Sequence, residues 1–281
     1  MSLSLVTNVQ SLKVQANLTA ATDTLNNAIE RMTTGYKINR AKDDAAGYSI
    51  ASQMEAKLSS YDVASNNAQI GLDMLTTTEE NYTLINDHLQ RIRDLAEQAA
   101  NGTYSTDSRT AIEAEIASRL AEIDRVAGSA EYNGMNLMDG SLAADVNIQV
   151  GIDGTVNSRV TLAANLFSKA DAKTLLGEEN ADFAAACAST DAFQQLSAID
   201  AAINNISTRV TTLGASQNRL ESALDAISVT TENLTSSLST VKDADIANES
   251  TRYLQAQILQ SAATTLLSTA NQTPSIALQL I

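Results

Sequence analysis

Few side chains in this sequence of 281 residues are suited to chemistry: there is one histidine, His88, and one cysteine, Cys187. An imidazole acts as a general base or metal ligand only with partners close by. His88 sits in helical sequence between Ile85 and Leu89, on a face expected to meet water. No second histidine exists to complete an HExxH pair or a His-rich cluster. Cys187 lies in Ala-Cys-Ala, without basic neighbours to stabilise a thiolate, so it reads as a small packing residue. A single cysteine also excludes a disulfide framework and a multi-cysteine zinc site. Glu79-Glu80 and Asp43-Asp44 are adjacent carboxylates. Consecutive residues on a helix point in different directions, so neither pair forms an acid–base couple. Gly128, Gly134 and Gly140 stand apart and spell no phosphate loop. Asn101-Gly102-Thr103 and Asn233-Leu234-Thr235 fit the N-glycosylation pattern, which acts only on a suitable secretory route. No cofactor and no metal is expected, and an enzyme reading has no residues to rest on.

With chemistry set aside, the question becomes what long elements this composition builds. Proline occurs once, where average usage would place it about 14 times. Almost nothing therefore interrupts a helix. Aromatic residues make up 4% and tryptophan is absent, so bulky core anchors are scarce, yet the hydrophobic fraction of 44% is too high for a disordered chain. Long helices packed through small and aliphatic side chains satisfy both constraints. No run of 18 apolar residues occurs, so no membrane span is expected. Met1 to Leu12 lacks the basic and apolar regions of a secretory signal peptide. The net charge is −15 and there is no basic run, which sets the chain against nucleic acid as a partner.

That charge is sorted along the chain. Residues 1–44 are net +1 and residues 242–281 net −1, so the middle carries the whole −15. No charged side chain occurs from Tyr253 to Ile281, nor from Met1 to Leu12. A solvated surface helix normally shows a charged face. Two neutral ends, remote in sequence, point to segments that become buried in an assembly. Pro274 is expected to mark the end of the neutral C-terminal helix.

Apolar spacing defines the helices. From Leu196 the series Ile199, Ile203, Ile206, Val210, Leu213, Gln217, Leu220, Leu224, Ile227, Thr231, Leu234, Leu238, Val241 steps by threes and fours. This heptad seam spans roughly 65–70 Å and calls for coiled-coil packing. A partner seam runs from Ile50 through Met54, Leu58, Leu72, Leu75, Tyr82, Ile85, Leu89 and Ile92 to Ala99, where Asn101-Gly102 supplies a stop. A third helix follows, capped by Thr106, Asp107 or Ser108, with Ile112, Ile116, Leu120, Ile123 and Ala127 as its stripe, ending near Gly128. Rod packing is assigned to Leu72, Leu89, Ile92, Ile116, Ile123, Leu213, Leu220 and Ile227. The ends carry weaker stripes: Leu18, Ala21, Leu25, Ile29 (or Ala28) and Met32, then Leu254, Ile258, Ala262, Leu266 and Ala270. Leu259 and Leu267 fall off the second stripe, so that helix is apolar on more than one side and needs several neighbours. Between the helices, 147–152 and 158–162 alternate as half-buried strands around Asp153-Gly154, which predicts a β-hairpin. The Ala-rich, acidic stretch Leu166–Ser189 carries no readable period. The fold class is therefore mainly α: a long antiparallel coiled-coil or helical-bundle rod with a small β-hairpin region.

Several longer stretches resemble bacterial flagellins. They are Arg31-Met32-Thr33-Thr34-Gly35-Tyr36-Lys37-Ile38-Asn39-Arg40-Ala41-Lys42-Asp43-Asp44-Ala45-Ala46-Gly47, Leu89 to Gly102, Glu122 to Ala127, Tyr132-Asn133-Gly134, and Leu137 to Ser141. Gln255 to Gln260 and Ala270-Asn271-Gln272-Thr273-Pro274 resemble the flagellin C-terminus. The likeness covers about residues 1–165 and 195–281. It implies a hairpin-like chain whose ends pair as a coiled coil in a filament's inner tube, with the next segments forming a helical rod. The implied divisions are 1–44 and 242–281 for the two halves of the inner domain, 45–140 and 191–241 for the two halves of the rod, and 141–190 for the hairpin and a variable outer segment. With so little between the rod helices, the chain resembles a minimal flagellin with inner and rod domains only.

The resemblance also implies partners and a place. The chain is expected to bind itself in a helical homopolymer, the propeller of swimming motility. A flagellar type III export apparatus, a secretion chaperone and a filament cap are implied as further partners. The implied location is the extracellular flagellar filament, reached without a cleaved signal peptide. Filament-core assembly falls to Leu18, Leu25, Ile29, Met32, Leu254, Ile258, Ala262 and Leu266. Gln90, Arg91, Leu95 and Glu115 match positions through which many flagellins contact Toll-like receptor 5. Two alternatives share some features: a hook–filament junction protein, which shares the terminal sequences, and a coiled-coil adhesin or signalling module, which would show charged, solvated ends. The motifs around Arg91 and Tyr132 favour flagellin over the first, and the charge map disfavours the second.

Overall fold

A computed structural model describes residues 8–142, 144–189 and 192–279. The elements in chain order are α1 (Val9–Thr34), α2 (Ala45–Ala99), α3 (Thr106–Ser129), β1 (Glu131–Tyr132), β2 (Met135–Asn136), β3 (Val146–Gln149), β4 (Arg159–Leu162), α4 (Ala172–Leu176), α5 (Asn180–Cys187), α6 (Phe193–Lys242) and α7 (Ile246–Gln279). Short 3-10 turns at Val156–Ser158 and Ala164–Phe167 flank β4. The chain divides into two compact units: unit 1, residues 1–58 with 232–281, and unit 2, residues 59–231. Helices α2 and α6 each contribute residues to both.

Unit 2 holds a continuous apolar core. The expected stripes supply it: Tyr82, Ile85, Leu89, Ile92 and Ala96 from α2, Ile112 to Ile123 from α3, and Ile199, Ile206, Leu213 and Leu220 from α6 are all buried. Leu72 and Val210 are partly buried and pack at the core's margin. Helix α3 is capped by Ser105, whose hydroxyl accepts from the Ser108 amide. The cap thus lies one residue before the three candidates, because Ser105 has extended backbone geometry while Thr106 is already helical. The unread stretch 166–189 turns out to be part of this core. Leu166 and Phe167 are buried in the 3-10 turn after β4, and Leu176, Phe183 and Cys187 in the short α4 and α5. Segments this short show no period of their own.

Strands β3 and β4 pair antiparallel, with Val146 opposite Leu162 and Gln149 opposite Arg159. They are shorter than expected, and Asp153-Gly154 lies in a long loop rather than a two-residue turn. The loop closes where the amides of Val150 and Gly151 both donate to the Ser158 carbonyl at 2.9 Å. Gly71 lets the hairpin lie close on α2: a Cβ there would meet Ile148 Cγ1 at 3.1 Å. A second, smaller hairpin, β1–β2, turns on Asn133 and Gly134, both at positive φ. Sequence reading missed it, although Asn-Gly is the preferred pair for such a turn. Tyr82 anchors the segment after β4. Its hydroxyl donates to the Leu166 carbonyl at 2.8 Å and accepts from Arg209 Nη1 at 3.2 Å, and burial pushes the phenol's pKa up.

Unit 1 is built from α1, α7, and the start of α2 with the end of α6. Helix α1 opens on Asn8, whose side chain accepts from the Ser11 amide, and closes on Gly35 at φ +77°. Helix α7 runs unbroken to Gln279, so Pro274 lies within it rather than at its end. Ile50, expected on the inward stripe of α2, is exposed. Hydroxyls on these helices commonly fold back onto their own carbonyls. Thr19, Thr22 and Thr24 on α1, and Thr251, Thr264, Thr265 and Thr269 on α7, each donate to a carbonyl three or four residues earlier.

Candidate assembly surface

The terminal helices pair through alanine. Helices α1 and α7 run antiparallel: Asn8 meets Ala270, Thr22 meets Gln260, and Arg31 meets Glu249. Ala21 and Ala28 on α1, and Ala256 and Ala263 on α7, are buried at a seven-residue spacing. Between the helices lies a groove of about 450 Å³ lined by Val14, Ala20, Ala21, Ala256, Leu259, Ala262, Ala263 and Leu266, among others.

Most of the large apolar side chains of unit 1 stay open to solvent. Leu254, Leu259 and Leu266 are more than half exposed, and Ile258 is 68% exposed. Ile29 is exposed, with its neighbour Ala28 taking the inward place, and Leu18, Leu25 and Met32 are half-buried. Of the stripe Leu254, Ile258, Ala262, Leu266, the first two therefore lie off the α1 contact, the last two border its groove, and buried alanines fill the contact itself. A seam of methyl groups brings helices close but buries little area, about 0.8 kcal/mol per methyl-sized group against 1.5–3 for a leucine. From Tyr253 on, helix α7 thus presents an uncharged, aliphatic surface that the described residues leave largely uncovered.

A polar hub fixes the other end of the pair. Glu249 is buried and receives Arg31 Nη1 at 3.2 Å and Arg252 Nη1 at 3.1 Å on the same oxygen. The loop 35–44 is clamped to the segment that joins α6 to α7. Lys37 N donates to the Lys242 carbonyl at 2.7 Å, Ala244 N donates to the Gly35 carbonyl at 2.8 Å, and Lys242 Nζ lies 4.3 Å from the Tyr36 ring centre. Asp43 Oδ2 accepts the amides of Asn39 and Arg40, and the Arg40 amide above all holds its carboxyl below the ordinary range. Asp44 caps α2 through the amides of Ala46 and Gly47. A Cβ at Gly47 would fall 2.5 Å from Asp44 Oδ2 and 2.7 Å from Ile38 Cδ1. The adjacent carboxylates Asp43-Asp44 are thus spent on the turn and the helix start.

In unit 2, Arg91 and Glu115 form a pair across α2 and α3, with Nε and Nη2 each 2.9 Å from Oε1. The Arg91 guanidinium holds the Glu115 carboxyl below the ordinary range. Gln90 is exposed beside them, but Leu95 is 2% exposed and packs in the core. Leu95 therefore offers no side chain to a partner at the surface, a correction to the expectation above. Its position on the buried stripe one turn after Arg91 is the reason. His88 is half-buried, with Nδ1 3.5 Å from Arg119 Nη1, rather than on a freely solvated face. Cys187 is buried, and desolvation pushes its thiol up to about 12, which removes it as a nucleophile near neutral pH. Among the described residues no three His, Cys, Asp or Glu side chains gather as a metal site, and no helix is long and apolar enough to cross a membrane.

Fold and surface together define a class: an α-helical structural protein whose end helices keep an aliphatic face uncovered. Comparison with known proteins places it within that class. The model of the bacterial flagellin N-terminal helical region matches residues 5–143, and that of the bacterial flagellin C-terminal helical region matches residues 196–281. The chain is 35% identical to a flagellin of Listeria monocytogenes and 33% identical to a flagellin of Bacillus subtilis, in each case over 98% of both chains. It is 32% identical over 98% of both chains to the flagellar filament 33 kDa core protein of Treponema phagedenis. The chain belongs to the bacterial flagellin family, whose members are structural proteins and not enzymes. In fold alone it is also similar to a putative flagellar hook-associated protein from Vibrio parahaemolyticus, at 16% identity and a TM-score of 0.59, covering 72% of this chain and all of the other.

Proposed function

We propose that this flagellin is the subunit of a helical homopolymer, the flagellar filament, in which the terminal helices of neighbouring copies cover one another. The observation that carries this reading is the exposed aliphatic face of α7, in a stretch without one charged residue from Tyr253 onward. Alone in water such a helix is marginal, because its stability must come from tertiary packing. Surrounded by copies of itself it gains that packing at many repeated contacts. Leu18, Leu25, Ile29, Met32, Leu254, Ile258, Ala262 and Leu266 are the residues to which this reading gives the intersubunit contacts. Residues 1–44 and 242–281 make the filament core, and the acidic remainder meets solvent and neighbouring copies.

The same reading supplies a route and further partners. The chain leaves the cell unfolded through the flagellar type III apparatus, with a secretion chaperone before export and a cap at the growing tip. Free monomer presents Gln90, Arg91 and Glu115 to Toll-like receptor 5; the exposed Arg91–Glu115 pair supports this. An Arg91→Ala chain that signals through the receptor as strongly as the parent overturns that assignment.

The test of polymerisation is electron microscopy of the purified chain after addition of salt or seeds. The full chain is expected to form filaments. A chain truncated after Arg252 is expected to stay dispersed, with unit 2 still folded by circular dichroism. Filaments from the truncated chain would sink the proposal.

A further inference from the structure

Pro274 and Asn8 lie at opposite ends of the sequence, and their backbone chemistry is complementary. An α-helical carbonyl receives the N–H four residues later. Proline has no N–H, so inside a helix it deprives the carbonyl four residues before it of that donor. Helix α7 continues through Pro274 to Gln279, which makes Ala270 the residue deprived. The side-chain amide of Asn8 donates to the Ala270 carbonyl at 2.8 Å. The other end of the same carboxamide accepts the Ser11 amide at 3.1 Å and caps α1. Next to it, the Ser11 hydroxyl donates to Asn271 Oδ1 at 2.8 Å. One side chain thus begins one helix and fills the gap left by proline in the other.

We propose that Asn8 and Pro274 form a register pin for the terminal helix pair, making Asn8 a positioning residue for assembly. The alanine seam of α1 and α7 needs such a device. Methyl groups at a seven-residue spacing are nearly the same at every step, so a slide of one heptad costs little packing. The deprived carbonyl occurs once on α7, and the matching amide once at the start of α1. Only one register satisfies both. The Arg31–Glu249 pair holds the far end of the same seam, so the helices are fixed at two points.

The inference rests on the assembly reading, and the test separates the two: unassembled parent chain would sink that reading, whereas the comparisons below sink only the pin. Filaments of four full-length chains are melted and dissociation is followed by light scattering: parent, Asn8→Ser, Pro274→Ala, and the double variant. Serine keeps a capping oxygen but lacks the amide that reaches Ala270. Asn8→Ser is expected to lower the dissociation temperature by about 2–8 °C, the scale of one lost hydrogen bond. Pro274→Ala restores the helix's own donor to Ala270, so that chain assembles. In the Pro274→Ala background the Asn8→Ser drop shrinks to a third or less. An Asn8→Ser chain that assembles only when Pro274→Ala is present supports the pin equally. No drop in the parent background, an equal drop in both backgrounds, or failure of Pro274→Ala to assemble each overturns it. An equal drop would mark Asn8 as a helix cap and nothing more.

Discussion

Among the described residues, unit 2 buries Tyr82, Phe167, Phe183 and three stripes of isoleucine and leucine. Unit 1 buries Ala21, Ala28, Ala51, Ala256, Ala263 and, as its one large apolar side chain, Ile38. Both units expose some large apolar residues, but in unit 1 Leu12, Ile29, Ile50, Leu254, Ile258, Leu259 and Leu266 lie uncovered with only Ile38 of comparable size buried among the described residues. Both units are made of long helices with the same seven-residue rhythm. The difference is what the rhythm carries. In unit 2 it carries bulk, and the chain finishes its own core. In unit 1 it carries methyl groups at the internal seam and bulk on the outside, and the proposed assembly leaves completion to other copies.

The sharpest way to break this comparison is a charge on the outer face. Ile258→Asp is expected to abolish filaments while leaving the melting of unit 2 unchanged, because burying that carboxylate in the assembly costs on the order of several kcal/mol. Filaments with parental stability would remove the contrast altogether. The converse change is Leu120→Ala, which hollows the core of unit 2 at a cost of about 2–5 kcal/mol. Its readout is alkylation of Cys187, which is shielded until unit 2 opens. Labelling should quicken in Leu120→Ala and stay at the parental rate in Ile258→Asp. Glu249→Gln is a smaller change within unit 1. It leaves Arg31 and Arg252 on a neutral partner and should cost about 1–3 kcal/mol, seen as faster hydrogen exchange in α1 and α7 but not in α3. The smallest effect is at Arg91–Glu115. The Arg91 guanidinium holds Glu115 below its ordinary value, so its contribution is complete above the unfolded carboxyl range and is lost as pH falls through the lowered, folded value. Glu115→Gln should flatten the acid limb of unit 2 stability slightly, as for an exposed pair.

Much of unit 2 was legible because its stripes are long and its residues large. Leu89, Ile92, Ile116, Ile123, Leu213 and Leu220 lie where threes-and-fours spacing puts them, with Ile227 buried further along α6. The flagellin motifs named the family, and the structure gives several of their residues local work: a left-handed cap at Gly35, amide acceptors at Asp43 and Asp44, close packing at Gly47. What resisted reading has a physical cause in each case. Phe167 and Phe183 enter the core from segments too short to repeat. On α7 the conspicuous leucines are not the contact residues, because alanine counts weakly in any hydrophobic pattern while deciding which faces touch. Pro274 has the local look of a stop, because the donor that fills its gap lies 266 residues upstream and no local signal announces it.

The folded-back hydroxyls of α1 and α7 bear on reversibility. A polar face that is dried by a neighbour ordinarily forfeits its bonds to water, and each orphaned hydroxyl adds to the cost of contact. Thr19, Thr22, Thr24, Thr251, Thr264, Thr265 and Thr269 carry their acceptors with them, so they pass between wet and dry surroundings with little change in free energy. A helix furnished this way stays soluble while it waits and loses little when it is enclosed. The same surface can then serve a free folded copy and a copy enclosed by others of its kind.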